Sequence, residues 1–293
     1  MLPLITVFQQ NPTLWLTAAA VFSLLIGSFL NVVIGRLPKA MHKEWQQDCR
    51  LLLELDEEPE QPSSPAIASI AWPASHCPSC ETPLKPWHNL PVISYLFLKG
   101  QCAFCNVRIS PRYPAVELLT AILGLGVAWA LGPSLSGLLG LVLVYFLVAM
   151  SFIDLDHKLL PDQLTLPLLW MGLVANAFGV FTSLESALWG AVAGYMSLWS
   201  VYWSFRLATG KHGMGYGDFK LLAALGAWLG WQALPMIVLM AAVTGIIVGI
   251  LLRFRKEKSD PQMPFGPFLS VGGLGYLLWG EQIWLTFQSI TAY

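Results

Sequence analysis

Two aspartates lie where apolar runs meet polar turns. Asp154 closes a charge-free stretch in Ser151-Phe152-Ile153-Asp154-Leu155-Asp156, and Asp218 opens a second apolar one, interrupted only by Lys220, in Gly213-Met214-Gly215-Tyr216-Gly217-Asp218. Charges inside or at the ends of membrane-length apolar segments are costly, which makes each a functional candidate. Two carboxylates acting together can hydrolyse a peptide bond, one taking a proton from water while the other protonates the carbonyl oxygen. Opposite helix ends would supply the asymmetry this requires. Asp154 faces a negative C-terminal end and suits the acid toward the scissile carbonyl; Asp218 faces a positive N-terminal end and suits the base toward water. By spacing alone, Asp156 remains an alternative to Asp154, and Asp218 an alternative helix cap.

Several neighbours read as support. Gly215 and Gly217 are expected to adopt positive φ and to let the backbone approach a bound peptide, the plainer alternative being a flexible loop. Asp162, after Pro161, reads as a helix N-cap. Glu117, one to two turns inside a helix, and Asn31 read as buried hydrogen-bonding groups that hold helices together.

Cysteines form a second constellation. Cys77-Pro78-Ser79-Cys80 and Cys102-Ala103-Phe104-Cys105 are two Cys-x-x-Cys knuckles with 21 residues between them. Four thiolates at this spacing fit a tetrahedral structural zinc ribbon, and a complete sulfur set leaves no open position for a catalytic water. His76 and His88 then read as neighbours rather than ligands, and Cys49 as a free thiol.

The elements that must position these groups are apolar helices. The chain has 293 residues, of which 56% are hydrophobic and 11% charged. Soluble domains carry about 25% charge, so an all-α polytopic membrane protein is expected. Apolar segments approaching the roughly 20 residues of a membrane helix run over 14–34, 113–131, 135–153, 164–181, 187–205, 236–252 and 263–285, with a shorter one over 219–229. The first lacks the basic flank and cleavage site of a signal peptide and reads as a retained anchor.

Eight of the 16 basic residues lie between the first and second segments, and the other eight fall at alternate turns after that. Positive charges mark cytoplasmic loops. The pattern therefore predicts about eight transmembrane helices, both termini periplasmic, and a turn near Gly230 and Trp231 that splits 219–229 from the next helix. It also predicts three parts: 1–35 as the first helix, 36–112 as a small cytoplasmic zinc-ribbon-like domain, and 113–293 as the membrane-embedded part. The cytoplasm is reducing, which disfavours disulfides between the knuckles. Within 36–112, Met41 to Leu55 has helical character, and the acidic, Pro- and Ser-rich run Asp56 to Pro65 reads as a solvated linker. No Gly-x-Gly-x-x-Gly turn after a strand suggests a nucleotide site, and no nucleic-acid partner is expected.

Taken together, these residues resemble the bacterial prepilin peptidases, Gly-x-Gly-Asp intramembrane aspartyl proteases of the inner membrane. The resemblance covers nearly the whole chain. It is carried by Gly27-Ser28-Phe29-Leu30-Asn31 through Gly35-Arg36-Leu37-Pro38, both Cys pairs, Ser110-Pro111-Arg112-Tyr113-Pro114-Ala115-Val116-Glu117, the Asp154 segment with Pro161 seven residues on, and Gly215-Tyr216-Gly217-Asp218. It selects Asp154 over Asp156. It implies cleavage of the basic leader from type IV prepilins and secretion pseudopilins after a Gly. The long four-Cys loop further resembles the bifunctional form that methylates the new N-terminus with S-adenosylmethionine, for which Gly100 is the candidate cofactor residue. A peptidase without methyl transfer and a transporter with buried aspartates are the rival readings. A zinc metalloprotease would need a His-Glu-x-x-His helix, which is missing.

Overall fold

A computed structural model describes residues 2–53, 75–77, 79–211, 213–254 and 263–291. The acidic run from Asp56 and the basic residues Arg255, Lys256 and Lys258 lie outside the described residues. Among those described, the chain is helical, with no β-structure beyond the isolated bridges His76↔Pro83 and Gln101↔Arg108. The helices are α1 (Leu2–Gln10), α2 (Pro12–Leu52), α3 (Ile93–Phe97), α4 (Arg112–Leu131), α5 (Leu135–His157), α6 (Asp162–Ala177), α7 (Leu184–Thr209), α8 (Tyr216–Leu229), α9 (Leu234–Phe254) and α10 (Gly266–Thr291). Each apolar segment singled out by sequence falls largely within α2 or one of α4 to α10. Among the described residues, four helical stretches, α2, α4, α5 and Trp231–Phe254, are long and apolar enough to cross a membrane.

The chain divides into two compact units. One comprises Asn11–Leu125. Here α2 runs unbroken for 41 residues, about 60 Å, twice the hydrocarbon thickness of a bilayer. The Met41 stretch is therefore a continuation of the first helix rather than a separate one, and the helix passes through Pro38 although proline cannot donate to the preceding turn. α2 and α4 touch closely: a Cβ at Gly27 would lie 2.8 Å from the Glu117 Cα. The Asn31 side-chain amide donates to the Tyr113 carbonyl at 3.1 Å.

The other unit comprises Met1–Gln10 and Gly126–Tyr293. Its centre is α8, buried on nearly every side from Asp218 to Leu229. A short helix without a polar face belongs inside a bundle. Gly190 of α7 and Gly226 of α8 are in backbone contact, leaving no room for a side chain on either. Small residues at such crossings are how apolar helices pack when no water drives them together. α8 ends at Gly230, φ 84°, and the short 3-10 turn Trp231–Ala233 leads into α9, which is the predicted break.

Asn176 organises that end of the bundle. Its amide donates to the carbonyls of Ala227 at 2.8 Å and Trp228 at 2.9 Å, while its oxygen accepts from the amides of Phe181 and Thr182, both at 3.0 Å. Carbonyls in a last helical turn have no partner within the helix, so one buried side chain terminates α8 and shapes the turn after α6. The Trp228 indole adds a bond to the Leu168 carbonyl at 2.8 Å.

Candidate functional site

α5 ends one turn after Asp154, where Lys158 takes a left-handed conformation and its amide donates to the Asp154 carbonyl at 2.8 Å. The following turn carries Leu160 and Pro161 into α6. Asp154 is 5% exposed, and its Oδ2 accepts from the amide of Gly266, the first residue of α10, at 2.9 Å. Asp218, 7% exposed, lies in the first turn of α8, close enough for the charge of Asp154 to act on it.

Leu160 closes the arrangement. A Cβ at Gly217 would fall 2.7 Å from the Leu160 Cβ, and one at Gly266 would fall 3.2 Å from its Cδ2. The end of α5, the turn before α6 and the starts of α8 and α10 thus converge on two buried carboxylates. Asp156, two residues on, is exposed.

Three expectations about this region change. Gly215 has φ −83° and Gly217 is not among the positive-φ residues, so neither supplies a left-handed turn. Gly217 is needed for its close approach to Leu160. Asp162 makes no cap bond; it is the first residue of α6, and its carboxylate takes Lys220 Nζ at 2.6 and 2.8 Å, tying α6 to α8 beside the aspartates. Asp154, at the end of α5, also receives a donor from the start of α10, so a positive helix end points at it too. Gly266 was not singled out in the sequence. Its signal there is Phe265-Gly266-Pro267, a small residue followed by the proline that opens a helix.

Glu117 and Gly100 belong to the other unit. Glu117 is buried and its Oε2 accepts from the Val92 amide at 2.8 Å. Val92 has φ 58°, a strained value for a β-branched residue, and Glu117 holds it there. Gly100 has φ 69°, and a Cβ on it would come 2.9 Å from the Tyr95 hydroxyl. It lines a cleft of about 520 Å³ with Tyr95, Lys99, Gln101, Arg108 and Ser110.

The four sulfurs of Cys77, Cys80, Cys102 and Cys105 lie within 4.8 Å of one another. The knuckles repeat one conformation: Cys77 and Cys102 amides donate to Thr82 and Val107 carbonyls at 3.1 and 2.9 Å, and Glu81 and Asn106 turn left-handed at φ 54° and 55°. Cys77 and Cys105 sulfurs stand 3.8 Å apart, far longer than a disulfide and close to the edge of a sulfur tetrahedron with metal bonds of about 2.3 Å. Hydrogen bonds from the Thr82 hydroxyl and amide bring the Cys80 thiol down to about 6, toward the thiolate that binds metal. The donor set fits a structural metal ion. His88 packs edge-on against Phe104 instead, ring centres 5.4 Å apart.

Comparison with known proteins identifies the family. Residues 21–131 match the family model of the bacterial peptidase A24 N-terminal domain, and residues 141–250 match that of the type IV leader peptidase family. A prepilin leader peptidase/N-methyltransferase of Stutzerimonas stutzeri is 52% identical over 275 residues, 94% of each chain. One of Pseudomonas aeruginosa is 49% identical over 293 residues, all of both chains, and one of Aeromonas hydrophila 51% identical over 275 residues, 93% of each. No solved structure matches. With both halves matched by models and half of all positions shared along its length, the chain belongs to the type IV leader peptidase family.

Proposed function

We propose that this chain is a membrane aspartic endopeptidase that removes the leader of type IV prepilins and secretion pseudopilins after a Gly and then N-methylates the new terminus, with Asp154 and Asp218 as the catalytic pair. One observation carries the assignment of the pair: two buried carboxylates from different helices meet at one end of the bundle, Asp154 fixed by the Gly266 amide. In the reaction Asp218 takes a proton from water as its oxygen adds to the scissile carbonyl carbon, and Asp154 gives a proton to the carbonyl oxygen. Collapse of the resulting diol breaks the carbon–nitrogen bond as Asp154 takes back a proton from a diol hydroxyl and Asp218 gives its proton to the leaving amine, which restores both carboxyl groups.

The surrounding assignments follow the charge pattern and the family. About eight helices cross the bacterial inner membrane, with both termini periplasmic, residues 36–112 cytoplasmic and residues 113–293 forming the peptidase. Cys77, Cys80, Cys102 and Cys105 hold a structural zinc. S-adenosylmethionine supplies the methyl group, and the Gly100 cleft offers Lys99 and Arg108 for an anionic part of such a cofactor. Glu117 and Gly217 support the loops around the two activities, while Gly215, where a Cβ would lie 3.7 Å from Asp218 Oδ2, is placed to contact the substrate beside that carboxylate.

The test is cleavage of a prepilin by detergent-solubilised protein, compared with Asp154→Asn and Asp218→Asn and with added chelator. Both variants should insert normally and cleave nothing, and chelator should leave cleavage intact. Appreciable cleavage by either variant removes the pair. A chain that never cleaves prepilin but moves a solute would be the transporter.

A further inference from the structure

Between Lys85 and Lys99 the chain carries no charged residue, yet its large apolar side chains are not packed away. Trp87, Leu90, Ile93, Leu96 and Phe97 are all exposed, Leu96 at 67% and Phe97 at 83%, and α3 has no buried residue. Ile93 and Phe97, four residues apart on α3, share one face as a stripe, and Leu90 in the turn before the helix is exposed as well. A water-facing stripe of this kind would be a liability; its height along the helices indicates another solvent.

Two contacts set that height. The Ser28 hydroxyl donates to the Asn89 carbonyl at 3.4 Å, and Glu117 Oε2 accepts from the Val92 amide at 2.8 Å. Ser28 lies eight residues before Arg36 on α2, and Glu117 five residues after Arg112 on α4, so each is about 8 to 12 Å to the apolar side of the arginine that marks its helix's polar boundary. Two helices therefore agree that residues 89–92 dip below the headgroups.

We propose that residues 87–97 form an interfacial segment, inserted into the cytoplasmic leaflet with its apolar stripe against the acyl chains, Lys85 and Lys99 anchoring its ends among anionic headgroups. The depth matches the roughly 5–10 Å at which interfacial helices lie, and flanking lysines and a tryptophan are usual at that level. Backbone chemistry agrees. Within lipid every backbone polar group needs a protein partner. Ser94, Leu96 and Leu98 amides bond to Leu90, Val92 and Ser94 carbonyls at 3.1, 3.0 and 2.9 Å. The turn before α3 breaks that ladder, and there Pro91 has no amide to satisfy while Glu117 and Ser28 serve Val92 and Asn89. A buried carboxylate holding a strained valine amide is thus accounted for as the partner of a re-entrant turn.

The inference rests on the membrane reading, and the test separates the two. Full-length zinc-loaded protein lacking Cys49 (Cys49→Ser) is placed, one chain per nanodisc, in phosphatidylethanolamine and phosphatidylglycerol. A spin label is attached at Phe97→Cys and, separately, at Val21→Cys on the exposed side of α2. Oxygen and a water-soluble nickel chelate then report depth. The Phe97 label should be oxygen-accessible and nickel-excluded, at about 5–10 Å below the phosphates. It should become nickel-accessible when Glu117→Ala is added. Nickel access at Phe97 with Val21 deep in lipid overturns the inference alone; water at both positions overturns the membrane reading as well. Exclusion of both reagents at Phe97 would mean that protein covers the stripe, which also overturns it.

Discussion

Replacing Gly266 by alanine tests the site without touching a carboxylate. On general grounds the change should be harmless, since alanine in a helix is favoured over glycine by up to about 1 kcal/mol and position 266 needs no positive φ. The packing says otherwise. The new Cβ would lie 2.7 Å from Asp154 Oδ2, 3.3 Å from its Cγ and 3.2 Å from Leu160 Cδ2. An ordinary carbon–oxygen contact is about 3.3 Å, so the carboxylate or the start of α10 must move by roughly 0.5 Å. Leu160 is itself against Gly217, which leaves the turn little room to yield. Displacements approaching 1 Å in a catalytic group cost up to about a hundredfold in rate, so kcat for prepilin cleavage should fall roughly 10- to 100-fold. KM should change less than kcat, because the new methyl meets Asp154 and Leu160, and the crowding should offset the gain in helix propensity, leaving thermal stability in detergent unchanged or slightly lower. Gly35→Ala is the control: nothing lies within 4 Å of a Cβ there, and kcat should be unchanged. Wild-type kcat in Gly266→Ala, with the protein folded, would refute the idea that the Gly266 amide sets the position of Asp154.

Three further outcomes can be checked in the same detergent. Asn176→Ala leaves four backbone groups without their partner, the bonds to two of them buried and to two part-buried; at about 1–3 kcal/mol for a single orphaned buried group, and with partial relaxation, a loss near 2–4 kcal/mol and a clear fall in melting temperature are expected. Trp228→Phe removes only the one bond to Leu168 and should cost less. Metal analysis should find one zinc per chain, and chelation should open residues 75–112 to protease while prepilin cleavage persists, because the sulfur set is complete without a water.

Much of this was legible from the chain because the relevant signals are local. Helix existence follows from runs of apolar residues, and the knuckles follow from Cys-x-x-Cys spacing. The break at Gly230 follows from charges that must return to one side. What stayed hidden depends on partners distant in sequence. Asp162 after Pro161 has the look of an N-cap, but a cap needs only its own helix, whereas the bond to Lys220 spans 58 residues. Asn176 in an apolar run looks like any helix glue until α8 is seen to end beside it. The stripe at 87–97 hid because five-residue α3 is too short to show a period.

The glycines before Asp218 illustrate the same limit in a form that bears on mechanism. Glycine read locally means backbone freedom, and that reading predicts positive φ at Gly215 and Gly217. The fold uses Gly217 for proximity to Leu160, a residue from the turn after α5, and it uses Gly266 against the same leucine. One side chain thereby gauges the spacing of three chain segments that carry or hold both aspartates. The asymmetry between the carboxylates is then not a property of two helix ends alone. Asp154 sits at a C-terminus but is held by the Gly266 amide, while Asp218 lies at its own helix start, so in the proposed mechanism the division of labour between them would depend on how closely α10 is seated. A bulkier residue at either glycine should therefore alter rate while leaving both aspartates chemically intact.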